Sequence, residues 1–325
     1  MASSEQPRGD AAMTRSATKP DGELLLGLDT SADAAVALCR QAADGSLEVM
    51  GRSRSGDGRR HAETLVPMIL DVLTGAAATM PQVGTIVVGT GPAPFTGLRV
   101  GLATARSLAR ARGIEAFGVC SLDALALAAG RVMTTDWARE SAPESDLGCG
   151  SGSDTDLDSG SGSGRDIDSD IGSDIGRDID SDIDSDIDSD IDSDIDNARE
   201  VLVVSDARRR EVYYGRYRTG GADITTLIGP AVATPADVAA EHADLVEAGA
   251  IFGPALGLYG EILTGPSATD AGTTVLGHRV APVDPADLVR LALVRRTAGG
   301  DLSLTPRYLR RPDVHVPPGR KRATT

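Results

Sequence analysis

One pattern of apolar segments occurs twice in this chain and limits its fold more than any other feature. In the first half, LLLGLDTS, AAVALC and SLEVMGRS predict three strands, and helices over residues 62–74 and 97–112 then alternate with strands over residues 85–89 and 114–119. The second half repeats the three strands and continues with a helix, a strand and a late helix over residues 284–296. This repetition predicts a duplicated α/β architecture of two subdomains.

An aspartate occupies the turn between the first two strands of each half. These residues are Asp29 and Asp206. Two such turns facing a cleft are typical of the actin-like ATPase fold, which is also described as ribonuclease H-like, and we predict this fold. The two aspartates are candidates to hold a hydrated magnesium ion in the cleft, although short turns also select aspartate for its local hydrogen bonds.

An acidic stretch separates the two halves. Residues 146–196 contain 18 aspartates and two arginines, whereas the rest of the chain balances at 30 basic and 30 acidic residues. Because neighbouring aspartates repel and the isoleucines are sparse, we predict a disordered insert in preference to a weak cation or partner site. The chain then divides into a disordered tail (1–22), an N-terminal subdomain (23–136), the insert (137–198), a C-terminal subdomain (199–312) and a basic tail (313–325).

Simple counts exclude several classes of protein. No apolar run approaches the roughly 20 residues of a transmembrane helix, and the N-terminal residues lack the apolar segment of a secretory signal. Three widely spaced cysteines argue against a disulfide framework and against a cysteine-based zinc site. The balanced charge outside the insert argues against tight independent binding of nucleic acid. We expect a cytoplasmic protein that does not bind a membrane.

A glycine-rich loop, GTGPAPFTGLRVG, lies between a predicted strand and a predicted helix. Its backbone N–H groups suit an anion, but it matches neither the P-loop nor the dinucleotide-binding pattern, and a rigid turn for close packing stays open. Arg208, Arg209 and Arg210 are interpreted as a solvated turn rather than a ligand clamp. The candidates for a weak nucleotide or phosphate contact are Asp29, Thr30, Gly91, Thr96, Gly97 and Asp206.

Two helices of the first half carry more apolar surface than one core face requires. In the predicted helix HAETLVPMILDVL, the apolar residues cover an arc of about 200° around the helix axis. The next predicted helix carries a stripe of small residues at i, i+4 spacing. Such surfaces favour a partner, with burial inside the chain's own domain as the alternative. The candidate partner interface consists of Leu65, Met68, Ile69, Val72, Leu73, Leu98, Gly101, Leu102 and Ala105.

Few residues suit catalysis. The four histidines lie far apart in sequence, none in the spacing of a metal site, and no G-x-S-x-G segment occurs. Apart from the magnesium candidates Asp29 and Asp206, we therefore predict no catalytic residue and no metal ligand in this chain.

Six segments taken together resemble the bacterial TsaB/YeaZ family of tRNA threonylcarbamoyladenosine biosynthesis proteins. In chain order they are LLLGLDTSADAAVAL, RRHAETLVPMILDVL, VVGTGPAPFTGLRVGLATARSLA, GVCSLDALA, VLVVSDARRREVYYGRY and PRYLRR. Ala93 and Pro94 stand where the family motif usually reads Gly-Ser, which stiffens the loop and weakens the case for a phosphate contact there.

The resemblance implies an actin-like fold and an accessory role in making threonylcarbamoyladenosine beside the anticodon of tRNA. It implies that the chain binds the catalytic paralogue TsaD through its N-terminal dimerisation helices, that the ATPase TsaE joins them, and that tRNA is contacted through the complex. It also implies a homodimer through the same helices when the partner is absent. No cofactor is implied for this chain itself, and weak binding of ATP or ADP with magnesium at an interface of the complex stays open.

The resemblance also implies which positions would have to bind a metal if this chain were catalytic. TsaD has a G-V-N-H-x-x-x-H segment, whose two histidines hold a metal, where this chain reads GVCSLDAL, so the ligand positions fall on Ser121 and Leu125. Leucine cannot bind a metal and serine is a poor ligand. The resemblance therefore implies a pseudoenzyme. The alternative is an independently active ATPase or kinase that uses the cleft between Asp29 and Asp206.

Overall fold

The chain folds into two α/β halves, each built on one sheet. The computed structural model describes residues 22–56, 60–140, 199–264 and 280–310. The predicted tails (1–22 and 313–325) and the predicted insert (137–198) lie outside the described residues, apart from Gly22 and residues 137–140.

The sheet of the N-terminal half has five strands. They are β1 (Glu23–Asp29), β2 (Ala35–Gln41), β3 (Leu47–Arg54), β4 (Val83–Gly89) and β5 (Glu115–Val119), in the spatial order β3-β2-β1-β4-β5. The first three strands pair antiparallel, whereas β4 and β5 run parallel to β1. Helices α1 (His61–Gly75) and α2 (Phe95–Arg112) pack against this sheet, and α2 is capped by Gly113, whose φ of 66° is left-handed.

The sheet of the C-terminal half repeats the first four strands. They are β6 (Arg199–Asp206), β7 (Val212–Thr219), β8 (Thr225–Ala233) and β9 (Ile251–Phe252), in the order β8-β7-β6-β9. As in the first half, the central pair is antiparallel and the fourth strand is parallel to the first. Helices α4 (Pro235–Glu241), α5 (Ala243–Glu247) and α6 (Leu256–Thr264) follow. The predicted duplication is confirmed.

Two helices cross between the halves. Helix α3 (Ser121–Glu140) leaves the first half and packs on β6 and β7, whereas α7 (Pro285–Thr297) leaves the second half and packs on the first sheet. Both faces of β1 are therefore covered: Leu24 and Leu26 pack in the cluster with α1 and α2, while Leu25 packs in the cluster with α3 and α7. This exchange joins the halves through a shared core.

Ion pairs support the crossing helices. Arg295 of α7 donates to Asp123 of α3 at 2.8 Å and to Asp223 at 3.1 Å, and Arg131 of α3 donates to the fully buried Asp287 of α7 at 2.7 Å. Since each buried carboxylate has an arginine partner, the desolvation of its charge is compensated.

The structure differs from the predicted elements at four points, the first being the short helix α5, which the sequence pattern does not predict. Helix α6 was not predicted, because its sequence LGLYGEILT contains two glycines, which disfavour helix. Strand β8 continues through Pro230, which an edge strand tolerates because its outer side needs no ladder hydrogen bond. Helix α3 includes residues 137–140, which lie within the predicted insert. None of the helices in the described ranges combines the length and apolar character required to cross a membrane.

Candidate functional site

The carboxyl ends of three parallel strands meet at one polar cluster. Asp29 ends β1, Gly89 ends β4, and Ser121 begins α3 just after β5. Asp29 Oδ1 accepts hydrogen bonds from the backbone N–H of Ser31 at 2.8 Å and from its hydroxyl at 2.6 Å, and Oδ2 accepts the Ser121 hydroxyl at 2.7 Å. Both carboxylate oxygens of this buried residue are thus engaged by the chain's own groups.

Burial also sets the ionisation of this cluster. Burial raises the pKa of Asp29 above the ordinary carboxyl value, while the hydrogen bonds from Ser31 and Ser121 act in the opposite direction. A raised pKa in the folded state means that the folded chain binds this proton more tightly than the unfolded chain. The stability that Asp29 contributes is therefore present below its ordinary pKa and is lost as the pH rises through the raised value.

Replacing Asp29 with asparagine should remove this pH dependence. The free energy of unfolding of the wild type, minus that of Asp29→Asn, should fall as the pH rises from about 3.8 through the raised pKa. Urea unfolding of both proteins across that range measures the difference. A difference that stays constant with pH would contradict the raised pKa.

The small residues of α2 pack inside their own half. The hydroxyl of Thr30 donates to the carbonyl oxygen of Gly97 at 2.9 Å. A Cβ at Gly101 would lie 2.4 Å from that hydroxyl oxygen, and one at Gly97 would lie 2.8 Å from the carbonyl oxygen of Thr30. The glycines therefore allow α2 to approach the β1–β2 turn, which is the packing role that the sequence left open.

The remaining candidates for a phosphate contact lie in different environments. Gly91 is buried, has a φ of 84°, and accepts the backbone N–H of Ser121 at 2.9 Å, whereas Thr96 is exposed in the first turn of α2. Asp206, on the other sheet, accepts the backbone N–H of Arg208 at 2.9 Å and pairs with its guanidinium at 3.4 Å. Asp29 and Asp206 end the first strands of the two different sheets.

The two positions that the resemblance aligns with metal ligands have structural contacts. The Ser121 hydroxyl is engaged with Asp29, and Leu125 is fully buried in the core shared by α3 and α7. Among the residues that the structure describes, no group of three or more histidine, cysteine, aspartate or glutamate side chains is placed to hold a metal ion.

The nine residues predicted as a partner interface are buried in the N-terminal half. They belong to the core cluster between α1, α2 and the sheet, except Gly101, which is buried against Thr30. Their side chains are thus not exposed for contact, and whether these helices bind a partner stays a prediction. These residues are Leu65, Met68, Ile69, Val72, Leu73, Leu98, Gly101, Leu102 and Ala105.

Two other apolar residues of α1 are exposed. Val66 is 48% exposed and Leu70 is 56% exposed, and their i, i+4 spacing places them together on the outer side of the helix. They belong to the wide apolar arc of the sequence but lie beside the stripe that packs on the core. Their position around the helix, beside the stripe that packs on the core, is the sequence feature that distinguishes them from the nine buried residues.

Comparison with known proteins identifies the relatives of this chain. Residues 56–136 match the family model described as TsaD: tRNA N6-adenosine threonylcarbamoyltransferase. Over 290 residues the chain is 32% identical to an uncharacterized protein of Mycobacterium tuberculosis, a match that covers 89% of this chain and 93% of the relative.

Shorter matches and a solved structure carry a functional name. The tRNA threonylcarbamoyladenosine biosynthesis protein TsaB of Escherichia coli is 33% identical over 73 residues, or 22% of this chain and 32% of that protein. TsaB of Haemophilus influenzae is 33% identical over 106 residues, or 32% and 42% of the two chains. The structure of YeaZ from Pseudomonas aeruginosa is 22% identical and matches with a TM-score of 0.53 over 88% of this chain and all of that one, which shows a shared fold.

Proposed function

The chain belongs to the TsaB/YeaZ family, and from this membership we propose that it is the accessory subunit of a tRNA adenosine threonylcarbamoyltransferase complex. In this proposal the chain binds and activates the catalytic subunit TsaD, and TsaE joins the pair in the cytoplasm. The chain itself performs no chemistry, and tRNA reaches it through the complex. Without TsaD, two copies of the chain associate through their N-terminal helices α1 and α2.

The observation that carries the non-catalytic role lies at the start of α3. The segment that matches the TsaD model includes Ser121 and Leu125, which the resemblance aligns with the two metal-binding histidines of TsaD. Ser121 donates its hydroxyl to Asp29, and Leu125 is buried among apolar side chains. Because neither side chain is a good metal ligand, the metal chemistry of the complex is assigned to TsaD.

The outer side of α1 supports the partner role. Val66 and Leu70 expose apolar surface on a helix whose other apolar residues already pack on the core. Exposed apolar side chains beside a packed helix pair are suited to a protein partner, because association removes them from water. We assign the contact with TsaD to this side of α1 and the adjoining surface of α2.

Size-exclusion chromatography with light scattering tests the proposal. The chain, TsaD from the same organism and their mixture are run separately, and ATP hydrolysis by the chain alone is measured in parallel. We expect a stable 1:1 species in the mixture and no ATP turnover by the isolated chain.

Two results would contradict the proposal. Failure to form a complex, with or without nucleotide and TsaE, would remove the scaffold role. Steady ATP turnover by the chain alone would favour the alternative of an independent actin-like ATPase or kinase.

A further inference from the structure

The outer layer of the C-terminal half is acidic. Helices α4, α5 and α6 and the segments between them span residues 235–264, which contain five acidic residues and no lysine or arginine. All five acidic residues are exposed. Asp244 pairs with Arg216 of β7 at 2.8 Å, whereas Glu247 and Glu261 have no ion pair within the ranges that the structure describes. This acidic layer therefore presents uncompensated negative charge to a neighbouring segment.

Two apolar side chains are exposed within the acidic layer. Leu258 is 64% exposed and Ile262 is 52% exposed, and they lie on either side of the kink in α6. Leu256 and Leu263 of the same helix are buried in the core of the C-terminal half, and α4 and α5 pack against α6. Because the helix is already packed on its own core, Leu258 and Ile262 are additional apolar surface that a further segment can cover.

The C-terminal segment of residues 301–310 ends near the first turn of α6. Arg310 donates to the carbonyl oxygen of Ala207, just after β6, at 2.9 Å. Three residues before Ala207, the carbonyl oxygen of Val204 accepts the backbone N–H of Ala255, the residue before α6, at 3.4 Å. The backbone from Val204 to Ala207 spans no more than about 11 Å. The residues that follow Arg310 therefore start close to α6.

The sequence after Arg310 is complementary to this surface in charge and in apolar content. Residues 311–325 read RPDVHVPPGRKRATT, with four basic residues and one acidic residue. Two valines, Val314 and Val316, precede the basic run of residues 320–322. An extended chain of this length reaches up to about 50 Å, whereas α6 is only about 13 Å long. The segment is therefore long enough to bring both its valines and its basic run to α6.

Covalent attachment favours this contact over the same contact made from solution. Exposed ion pairs are individually weak, and two small apolar side chains bury too little area to hold a free peptide. A short flexible connection, however, holds the attached segment at an effective concentration in the millimolar range. A contact between the tail and α6 is therefore expected within one chain in preference to a contact between copies.

We propose that residues 311–325, which include the predicted basic tail, dock on the outer side of α6 in their own chain, with the two valines on Leu258 and Ile262 and the basic run against the acidic layer. Docking removes exposed apolar area from water and neutralises part of the negative charge of α4–α6. This proposal does not depend on the accessory role, because it concerns the C-terminal half and the tail rather than the exposed pair on α1.

Carbodiimide cross-linking of the full chain, followed by peptide mass spectrometry, tests this proposal. The reagent joins a lysine amine to a carboxylate through an amide bond, and the sequence contains only two lysines, Lys19 and Lys321. A cross-link from Lys321 therefore reports directly on the position of the tail. In the monomer we expect Lys321 to be joined mainly to acidic residues of α4–α6, with Glu247 and Glu261 among them.

Asparagine substitutions distinguish docking from random encounters of opposite charges. The double variant Leu258→Asn, Ile262→Asn keeps every carboxylate of the acidic layer, and it should lower the yield of these cross-links at least fivefold because the valines lose their apolar contact. Val66→Asn, Leu70→Asn on α1 is the matched control, since it makes the same change to an exposed apolar pair in the other half. This control should leave the yield unchanged. Circular dichroism melting of each variant checks that the fold is retained.

Several results would overturn the proposal. Cross-links from Lys321 mainly to the aspartates of residues 146–196 would mean that the tail meets the acidic stretch instead, and cross-links found only in dimers would assign the surface to a second copy. The absence of cross-links from Lys321, or an unchanged yield in the folded α6 variant, would show that α6 does not hold the tail. Formation of the complex with TsaD is measured separately, so failure here leaves the proposed function to its own test.

Discussion

Gly89→Ala should destabilise the chain by about 3 kcal/mol, although it adds only one methyl group. A Cβ at this position would lie 1.9 Å from Asp29 Oδ2 and 2.7 Å from the Ser121 hydroxyl oxygen. Neither group can move freely, because the carboxylate is buried and also holds Ser31. The methyl group therefore breaks hydrogen bonds to a buried carboxylate and separates the ends of β1 and β4. Thermal unfolding should show a lower midpoint, by roughly 10 °C for a domain of this size.

Gly84→Ala is the matched control on the same strand. Its Cβ would meet the side chain of Glu23, with Oε1 at 3.0 Å and Cγ at 3.1 Å. Glu23 Oε1 accepts the hydroxyl of Thr85 at 2.6 Å, but the side chain is partly exposed and needs to shift by only a few tenths of an ångström. We expect a change within about 1 kcal/mol, because alanine also restricts the unfolded chain more than glycine does. Equal thermal unfolding midpoints for Gly89→Ala and Gly84→Ala would show that the Asp29 cluster does not require a close approach by β4.

The order of strands and helices could be predicted because each element has its own periodicity. The apolar run LLLGL predicts a strand, and the structure adds that β1 is covered by α1 and α2 on one side and by α7 on the other. The aspartates of the two turns were also found from sequence, because each directly follows an apolar strand. Local pattern was sufficient for these features.

Features that depend on distant segments could not be predicted. Nothing in the sequence of α3 or α7 shows that each helix packs on the sheet of the other half. The cavity lined by Phe95, Arg208 and Tyr308 combines the start of α2, the β6–β7 turn and the C-terminal segment, which lie far apart in sequence. Arg99 and Tyr308 meet only when the C-terminal segment crosses the first half.

The apolar arc of α1 shows a third limit of sequence reasoning. A helix hydrophobic over more than one face can pack on its own core or on a partner, and the sequence does not assign each residue to one face. The structure places Ile69 and Ala105 in the core, so a charged residue at either position would unfold the N-terminal half. Substitution of those residues therefore cannot separate partner binding from folding.

The double variant Val66→Asp, Leu70→Asp should weaken binding to TsaD by a factor of about 100 or more while leaving the fold intact. Both side chains are already in contact with water in the single chain, so aspartate costs little there. In a complex that covers α1, each carboxylate would lose its water without gaining a charged partner. This desolvation free energy destabilises the complex, and we expect it to raise the dissociation rate. Surface plasmon resonance with immobilised TsaD measures the affinity, and the melting temperature of the variant measures the fold.

Leu258→Asp, Ile262→Asp on α6 provides the matched control. These residues are also four positions apart and are 64% and 52% exposed, although α6 is kinked between them at Tyr259, and they lie in the C-terminal half. The control adds the same two charges to a similar apolar surface, so it corrects for net charge and for loss of exposed apolar area. We expect it to bind TsaD like the wild type. If the control loses binding and the α1 variant keeps it, the partner surface belongs to α6, and the assignment of TsaD to α1 is wrong.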